Sequence, residues 1–410
     1  MELSEREHTK KLISISEIKK KYDRIKFASY EDGLELVEVF KKVPMKTPFF
    51  DILYDRSPNY FELLKLQRGK PFVFILKSKN GTTQGVATFI IKEHFIESKL
   101  EKVLYVCDMR TTPDIEEETK RQWKESYTEF MSKMEFIKEF EGIRYCYGAL
   151  ILNNKRAVKA FTKKNNQFIF KELAAYQALN IFGKKPKLFQ KNSLDENQFK
   201  AQKAKTSDLD SLWSFLEKQN RKKLFGDFIS KEESEGDDDF SFRLKNWPGF
   251  SLSNFILIKD KDGQIRGCVC PWSPETCKKF ILSNLSFKLK MVASLMPLIG
   301  KVPVKDNSTL ETLYLTHFEV DFDLNEKEKE HIIRNLFNEI EKQKLRSPYH
   351  ILSLLSLPHY ETLNILKDMG YLMEVSNGKV FQIIHEIYEK NKEHKIPASD
   401  HHLGLELALV

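Results

Sequence analysis

One hairpin is written twice in this chain. Lys79-Asn80-Gly81-Thr82-Thr83-Gln84-Gly85 returns as Lys261-Asp262-Gly263-Gln264-Ile265-Arg266-Gly267, with Gly267 lying 182 residues after Gly85. Each copy follows an apolar run (Phe72 to Leu76; Phe255 to Ile258) and precedes another (Val86 to Ile91; Cys268 to Trp272). Asn-Gly and Asp-Gly between apolar runs mark a tight turn, because these residues tolerate positive φ. An interval of domain size is too long for a solenoid repeat. The pattern requires two similar domains in tandem.

The duplication extends outward from the hairpin. Ala28 to Leu36 resembles Ala204 to Leu212, each a short strand running into a small polar cap and an amphipathic helix. Val103-Leu104-Tyr105-Val106-Cys107 matches Thr312-Leu313-Tyr314-Leu315-Thr316, now 209 residues apart, and both read as central strands. A long helix follows each, with Trp123, Tyr127, Phe130, Met131 and Met134 on one stripe and Ile332, Ile333, Leu336, Phe337 and Ile340 on the other. The growth of the offset places an insertion at 273–309. Each half therefore reads β-α, hairpin, strand, long helix, strand, helix, strand. That order implies an α/β (layered α+β) fold with a mixed central sheet flanked by helices. The expected boundaries are an N-terminal domain over 1–190, a polar linker at about 184–198, a C-terminal domain over 199–390 and a tail over 391–410.

Composition excludes some classes of function. The net charge of +8 comes from 67 basic and 59 acidic residues interspersed along the chain, with no basic cluster carrying aromatic readers, so no nucleic-acid signal is present. The start, Met1-Glu2-Leu3-Ser4-Glu5-Arg6, lacks the apolar core of a signal peptide, and no window has the length of a membrane span. The five cysteines are odd in number, and Cys268-x-Cys270 has neither zinc-knuckle spacing nor a second pair. Reduced core thiols, no metal and a cytoplasmic location are expected. The insertion's apolar run with Lys278, Lys279, Lys288 and Lys290 allows weak membrane-surface or partner contact through 278–298, or burial against the second domain.

The order of elements resembles that of the GNAT acyltransferases, here as a tandem pair. The residues carrying the likeness are Ser57-Pro58-Asn59-Tyr60-Phe61, the hairpin, Asp108-Met109-Arg110-Thr111-Thr112-Pro113 and Asn153-Asn154-Lys155-Arg156-Ala157 in the first half. In the second half they are Gly267 to Trp272, Leu315-Thr316-His317-Phe318-Glu319-Val320 and Gly370-Tyr371. The resemblance implies acyl transfer from coenzyme A to an amine. A central strand splays from its neighbour to hold the pantetheine arm, and the following helix N-terminus receives the diphosphate. A carboxylate takes the acceptor's proton, and a Tyr in the last helix often protonates the thiolate.

Carried onto this sequence, the resemblance makes Asp108 the candidate base, with Glu319 and Tyr371 as further candidate catalytic residues. Arg110, Thr111, Thr112, Lys120, Arg121 and Asn154 are the candidates for holding acetyl-CoA or CoA. The sequence also departs from the family. The diphosphate loop lacks its glycines, and Asp114, Glu116, Glu117 and Glu118 crowd the expected helix start behind a Thr112-Pro113 cap. Phe161 and Leu366 stand where a Tyr is usual, Asn165 stands in place of Gly, and Asn325 with Glu328 forms a capping box in the second half. His317 and Glu319 share a strand face by the period of two, His317 reading more readily as a satisfied core histidine. The expected function is N-acyl transfer from acyl-CoA to an unassigned small-molecule or peptide amine. The alternatives are a non-catalytic scaffold of two degenerate domains, or transfer from a donor other than coenzyme A.

Overall fold

The computed structural model describes residues 12–46, 50–162, 167–185, 198–228, 238–287, 290–291, 294, 303–345, 348–356, 361–390, 394–396 and 402–409. The first half runs α1 (Ile15–Lys19), β1 (Ile25–Phe27), α2 (Gly33–Lys41), β2 (Met45–Lys46), β3 (Asp51–Asp55), α3 (Tyr60–Lys65), β4 (Lys70–Lys77), β5 (Thr83–Ile96), β6 (Lys99–Thr111), α4 (Glu117–Ser132), β7 (Tyr145–Ile151), α5 (Lys155–Thr162) and β8 (Phe168–Lys184). The second runs β9 (Lys200–Lys203), α6 (Leu209–Arg221), β10 (Lys223–Leu224), α7 (Asp239–Asn246), β11 (Ile256–Lys259), β12 (Ile265–Trp272), β13 (Lys279–Ser283), β14 (Thr312–Val320), α8 (Glu326–Lys342), β15 (Ile351–Ser356), α9 (Thr362–Asp368) and β16 (Tyr371–His385). A last short strand, β17 (His402–Leu403), pairs with β10.

Both duplicated turns form as the dipeptides require. Gly81 has φ +87° and Gly263 φ +79°, and each turn closes with matching bonds: Ser78 N–H to Thr82 O at 2.8 Å, and Asp260 N–H to Gln264 O at 3.0 Å. The helices follow their apolar stripes. α2 buries Leu36, Val37, Val39 and Phe40, and α8 buries Ile332, Ile333, Leu336, Phe337 and Ile340 against the sheet.

The main sheet has twelve strands in the order β1-β4-β5-β6-β7-β16-β8-β15-β14-β12-β11-β9. This order is a pseudo-twofold with an exchange at its centre. β16, the last strand of the second half, lies beside β7 of the first, and β8, the last strand of the first half, lies beside β15 of the second. β8 and β16 pair antiparallel with each other from Phe168↔His385 to Lys184↔Tyr371. Backbone groups of each half are thus satisfied by the other. At the crossing, Tyr176 lies over Gly378, where an added Cβ would meet the ring at 2.1 Å. Only glycine fits beneath that ring.

The insertion at 273–309 has a structural role that the sequence did not show. Its strand β13 pairs with β3 of the first half, from Lys279↔Asp55 to Ser283↔Asp51, and β3 carries β2 on its other edge. Burial against the second domain holds for the insertion's start, where Cys277 and Phe280 pack with Trp272 and Tyr314, but its strand also completes a sheet of the first half. Lys278, expected to be available to a membrane surface, is 5% exposed. Lys290 pairs with Asp306 at 3.1 Å. Lys288, most of the expected linker, part of the insertion and residues 397–401 of the tail lie outside the described residues. No helix among the described residues is long and apolar enough to cross a membrane.

Apolar contacts also knit the halves. Leu224, Phe225 and Leu403 pack into a core with Val103, Tyr105 and Tyr147 of the first half, and Leu63 of α3 and Leu66 just after it pack with Trp247 and Trp272 of the second. The Phe225 and Tyr147 rings stack at 3.8 Å.

Candidate functional site

Each half opens its sheet at one point. β6 and β7 pair in parallel only from Val103↔Tyr145 to Val106↔Gly148, and β14 and β15 only from Thr312↔Ile351 to Tyr314↔Ser353. Beyond those pairs the strands diverge. Where they part, β6 and β14 each carry a bulge, at Val86/Thr88 opposite Cys107 and Arg110, and at Cys268/Cys270 opposite Thr316 and Glu319. The residue at the kink is left-handed in both copies: Asp108 has φ +52° and His317 φ +50°. Asp and His are among the residue types enriched there. They are 209 residues apart, the same offset that relates the two central strands. That equivalence was present in the sequence and is the signal that would have paired them.

In the first opening, Asp108 is held on one side only. Arg56 Nη1 donates to Asp108 Oδ2 at 2.9 Å, and the Tyr60 hydroxyl donates to the same oxygen at 2.9 Å. Oδ1 makes no hydrogen bond among the described residues, and the Asp108 side chain is 15% exposed. The Arg56 side chain is 1% exposed and lies over the Tyr60, Tyr54 and Phe40 rings. Burial works against its charge, but Asp108 more than offsets this and raises its pKa. Arg110, two residues on, is not the partner of Asp108: it stacks on Phe40 at 4.5 Å and reaches Val43 O. Met109 and Ile151, on the two diverging strands, are 45% and 38% exposed.

The helix start beyond this opening differs from the Thr112-Pro113 cap. α4 begins at Glu117 with Glu116 as N-cap. Thr112 turns inward, its N–H and hydroxyl both donating to Gln84 O at 2.8 and 3.2 Å. The Glu116 N–H donates to the Gln84 side chain at 3.1 Å, so a donor a diphosphate would need is already taken. Lys120 and Arg121 are exposed and pair with Glu117, and with Glu118 and Glu125. Thr111 pairs with Gly85 across the β5 ladder, and Asn154 caps α5 through the Ala157 N–H. The residues matched to coenzyme A are therefore spread over a strand end and two helix starts. The Phe161 side chain and Asn165 lie outside the described residues.

In the second half the capping box forms as read, with Asn325 and Glu328 exchanging backbone bonds at 3.1 Å. Tyr371 lies in the core against Phe337, with the Lys184 ammonium over its ring. It is not brought to Asp108 or Glu319. Glu319 is ion-paired with Lys223. His317 is a neutral acceptor. The Thr316 hydroxyl donates to Cys270 O, so the His317 Nδ1–H donates to Thr316, leaving Nε2 to accept from Arg243 at 2.8 Å. Burial, with the Arg243 charge added, holds its pKa well below the usual histidine range.

The chain's own C-terminal segment lies in this second opening. The Gly404 N–H bonds to Leu224 O at 2.8 Å, Lys278 donates to Leu407 O and Ala408 O at 3.2 and 3.0 Å, and Gln67 donates to Leu409 O. The Glu406 carboxylate takes the backbone N–H groups of His317 and Ala408. A cavity of 80 Å3 remains there, lined by Leu315, His317, Glu319, Leu355 and residues 403–406. The Asp227–Arg243 pair, at 2.9 Å, separates it from a second cavity of 380 Å3 at the seam between the halves. Burial pushes the Lys278 ammonium down to about 7, with the Arg56 charge acting in the same direction. Burial pushes Glu406 up to about 7, with Asp227 adding and Arg243 opposing. Sequence reasoning missed Arg56, Lys92, Arg243 and Glu406, and took Lys278 for a surface lysine. Glu406 had one signal: it is the lone charge in Leu403 to Val410. No cluster of side chains suited to a metal ion occurs among the described residues.

No family model matches the sequence, and no curated protein sequence matches it. Solved structures do. Saccharomyces cerevisiae N-myristoyltransferase with bound myristoyl-CoA superposes with a TM-score of 0.56 at 9% identity, covering 91% of this chain and 87% of that one. A GCN5-related N-acetyltransferase from Sphaerobacter thermophilus gives 0.50 at 8% identity, covering 93% and 99%. The fold is GNAT-like. At such identities the likeness establishes architecture, and the chemistry has to be argued from the residues.

Proposed function

We propose that the protein is an N-acyltransferase that moves an acyl group from a thioester to an amine, with the donor in the first opening. One observation carries this reading: two equivalent openings are used differently. The second is lined by the chain's own residues 403–406. The first presents exposed apolar strand edges and a carboxylate oxygen without a hydrogen bond. In the step, the amine nitrogen bonds to the thioester carbonyl carbon and the C–S bond breaks. The amine's proton passes to Asp108 Oδ1, and the thiolate leaves to take up a proton. Arg56 and Tyr60 orient the carboxylate through its other oxygen.

The Gln84 contact and the carboxylates at the start of α4 favour one variant of this reading, a donor whose anchoring does not pass through a diphosphate. Thermal unfolding with acetyl-CoA and with S-acetyl-N-acetylcysteamine, which has the thioester arm but no nucleotide, tests both. Ligand at 100 times Kd adds about 2.7 kcal/mol. Stabilisation by both is the expected outcome, and comparable affinity supports the diphosphate-independent donor. No shift from either at millimolar concentration sinks the reading.

A further inference from the structure

The 380 Å3 cavity is built by three separate parts of the chain: Leu66 and Lys92 from the first half, Phe242 and Trp247 of the second, and Leu409 from the C-terminal segment. Its volume lies in the range of small-molecule sites. The half-buried and buried carboxylates around it all have direct hydrogen-bond or ion-pair partners, Arg68 serving two of them. Arg68 bonds Glu93 at 3.2 Å and Asp239 at 2.7 Å, and Arg243 bonds Asp227. Glu139 accepts from the Ser14 hydroxyl and the Ile15 N–H. Lys92 has no ion pair or hydrogen bond among the described residues, and its ammonium sits 5.2 Å from the centre of the Tyr105 ring. Burial lowers its pKa, so the charge is held there at a free-energy cost.

Asp227 and Asp239 favour the Lys92 charge from a distance, but its N–H donors have no direct partner among the described residues and are open to a single carboxylate of a ligand. Asp227, Asp239 and Glu93 on the same walls disfavour a phosphate dianion and leave room for a carboxylate. Leu66, Phe242, Trp247 and Leu409 suit a compact apolar body. Tyr105, beneath the ammonium, precedes Asp108 by three positions, about 10 Å along β6. We propose that this cavity takes the acceptor, and that the acceptor is an amine carrying a carboxylate, which Lys92 binds. The assignment as acceptor rests on the acyl-transfer reading; the carboxylate site does not.

Calorimetric titration of the full chain with N-acetyl-L-leucine and with N-acetyl-L-leucinamide separates the two. The acid is expected to bind at least tenfold more tightly than the amide. Lys92→Met is expected to abolish that preference while unfolding at the wild-type temperature or above, and Lys92→Arg to retain it. Equal binding of acid and amide, no binding of either, or a preference undisturbed in Lys92→Met overturns the proposal. Binding of the acid with no response to any thioester keeps the carboxylate site and removes its role as acceptor site.

Discussion

Arg56→Met is expected to lower the unfolding free energy by about 3–5 kcal/mol, the range for removing one partner of a buried ion pair. Methionine keeps much of the volume among the Phe40, Tyr54 and Tyr60 rings, so little of the loss arises from packing. The loss comes from charge: Asp108 is left without its cation, and the Tyr60 carbonyl, which accepts from Arg56 Nη2 at 3.3 Å, loses its partner. Asn keeps the left-handed backbone of position 108 and removes the negative charge. Arg56→Met with Asp108→Asn is therefore expected to recover more than half of the loss. Urea unfolding measures all of these, and a single-variant loss below about 1 kcal/mol would mean that the pair does not hold the first opening together.

Glu406→Gln should change how stability depends on pH more than how large it is. The carboxyl of Glu406 is raised from 4.5 to about 7, chiefly by burial in the second opening. A raised pKa means that the folded chain holds the proton more tightly than the unfolded one. Its contribution is therefore complete below pH 4.5 and is lost as pH rises through 7. Glu406 is only partly buried, so screening reduces the full linkage value to about 2 kcal/mol. Gln keeps the acceptor for the His317 and Ala408 N–H groups and cannot ionise. The wild type should thus lose about 2 kcal/mol relative to Glu406→Gln between pH 4.5 and 7.5. Taking the difference cancels the opposite trend of His94, whose pKa burial lowers, and leaves in only the part of the Lys278 titration that Glu406 itself supports. A difference that is flat across that window would mean that the carboxyl is solvated and the segment does not close the opening.

What the sequence revealed depended on range. The two turns and the helix stripes follow from neighbours within a few positions, so Gly81, Gly263 and the α8 capping box stand where their residue types put them. The exchange of β8 and β16 and the pairing of β13 with β3 are contacts across more than 180 residues, and strand period alone does not state which strand is the partner. The α4 cap was misplaced for a local reason. Thr112 found a better acceptor in Gln84 O, and the helix began at Glu117. At the site, Asp108 was legible through its motif, whereas Arg56, Lys92 and Lys278 acquire meaning only from what surrounds them.

Hydrogen exchange with and without saturating S-acetyl-N-acetylcysteamine tests the central claim, that the first opening is the donor site and the second is closed by the chain itself. Slowed exchange confined to residues 105–111 and 147–151, with 314–320 and 352–356 unchanged, is the expected result. Protection in the second pair of segments, or in neither, would contradict it.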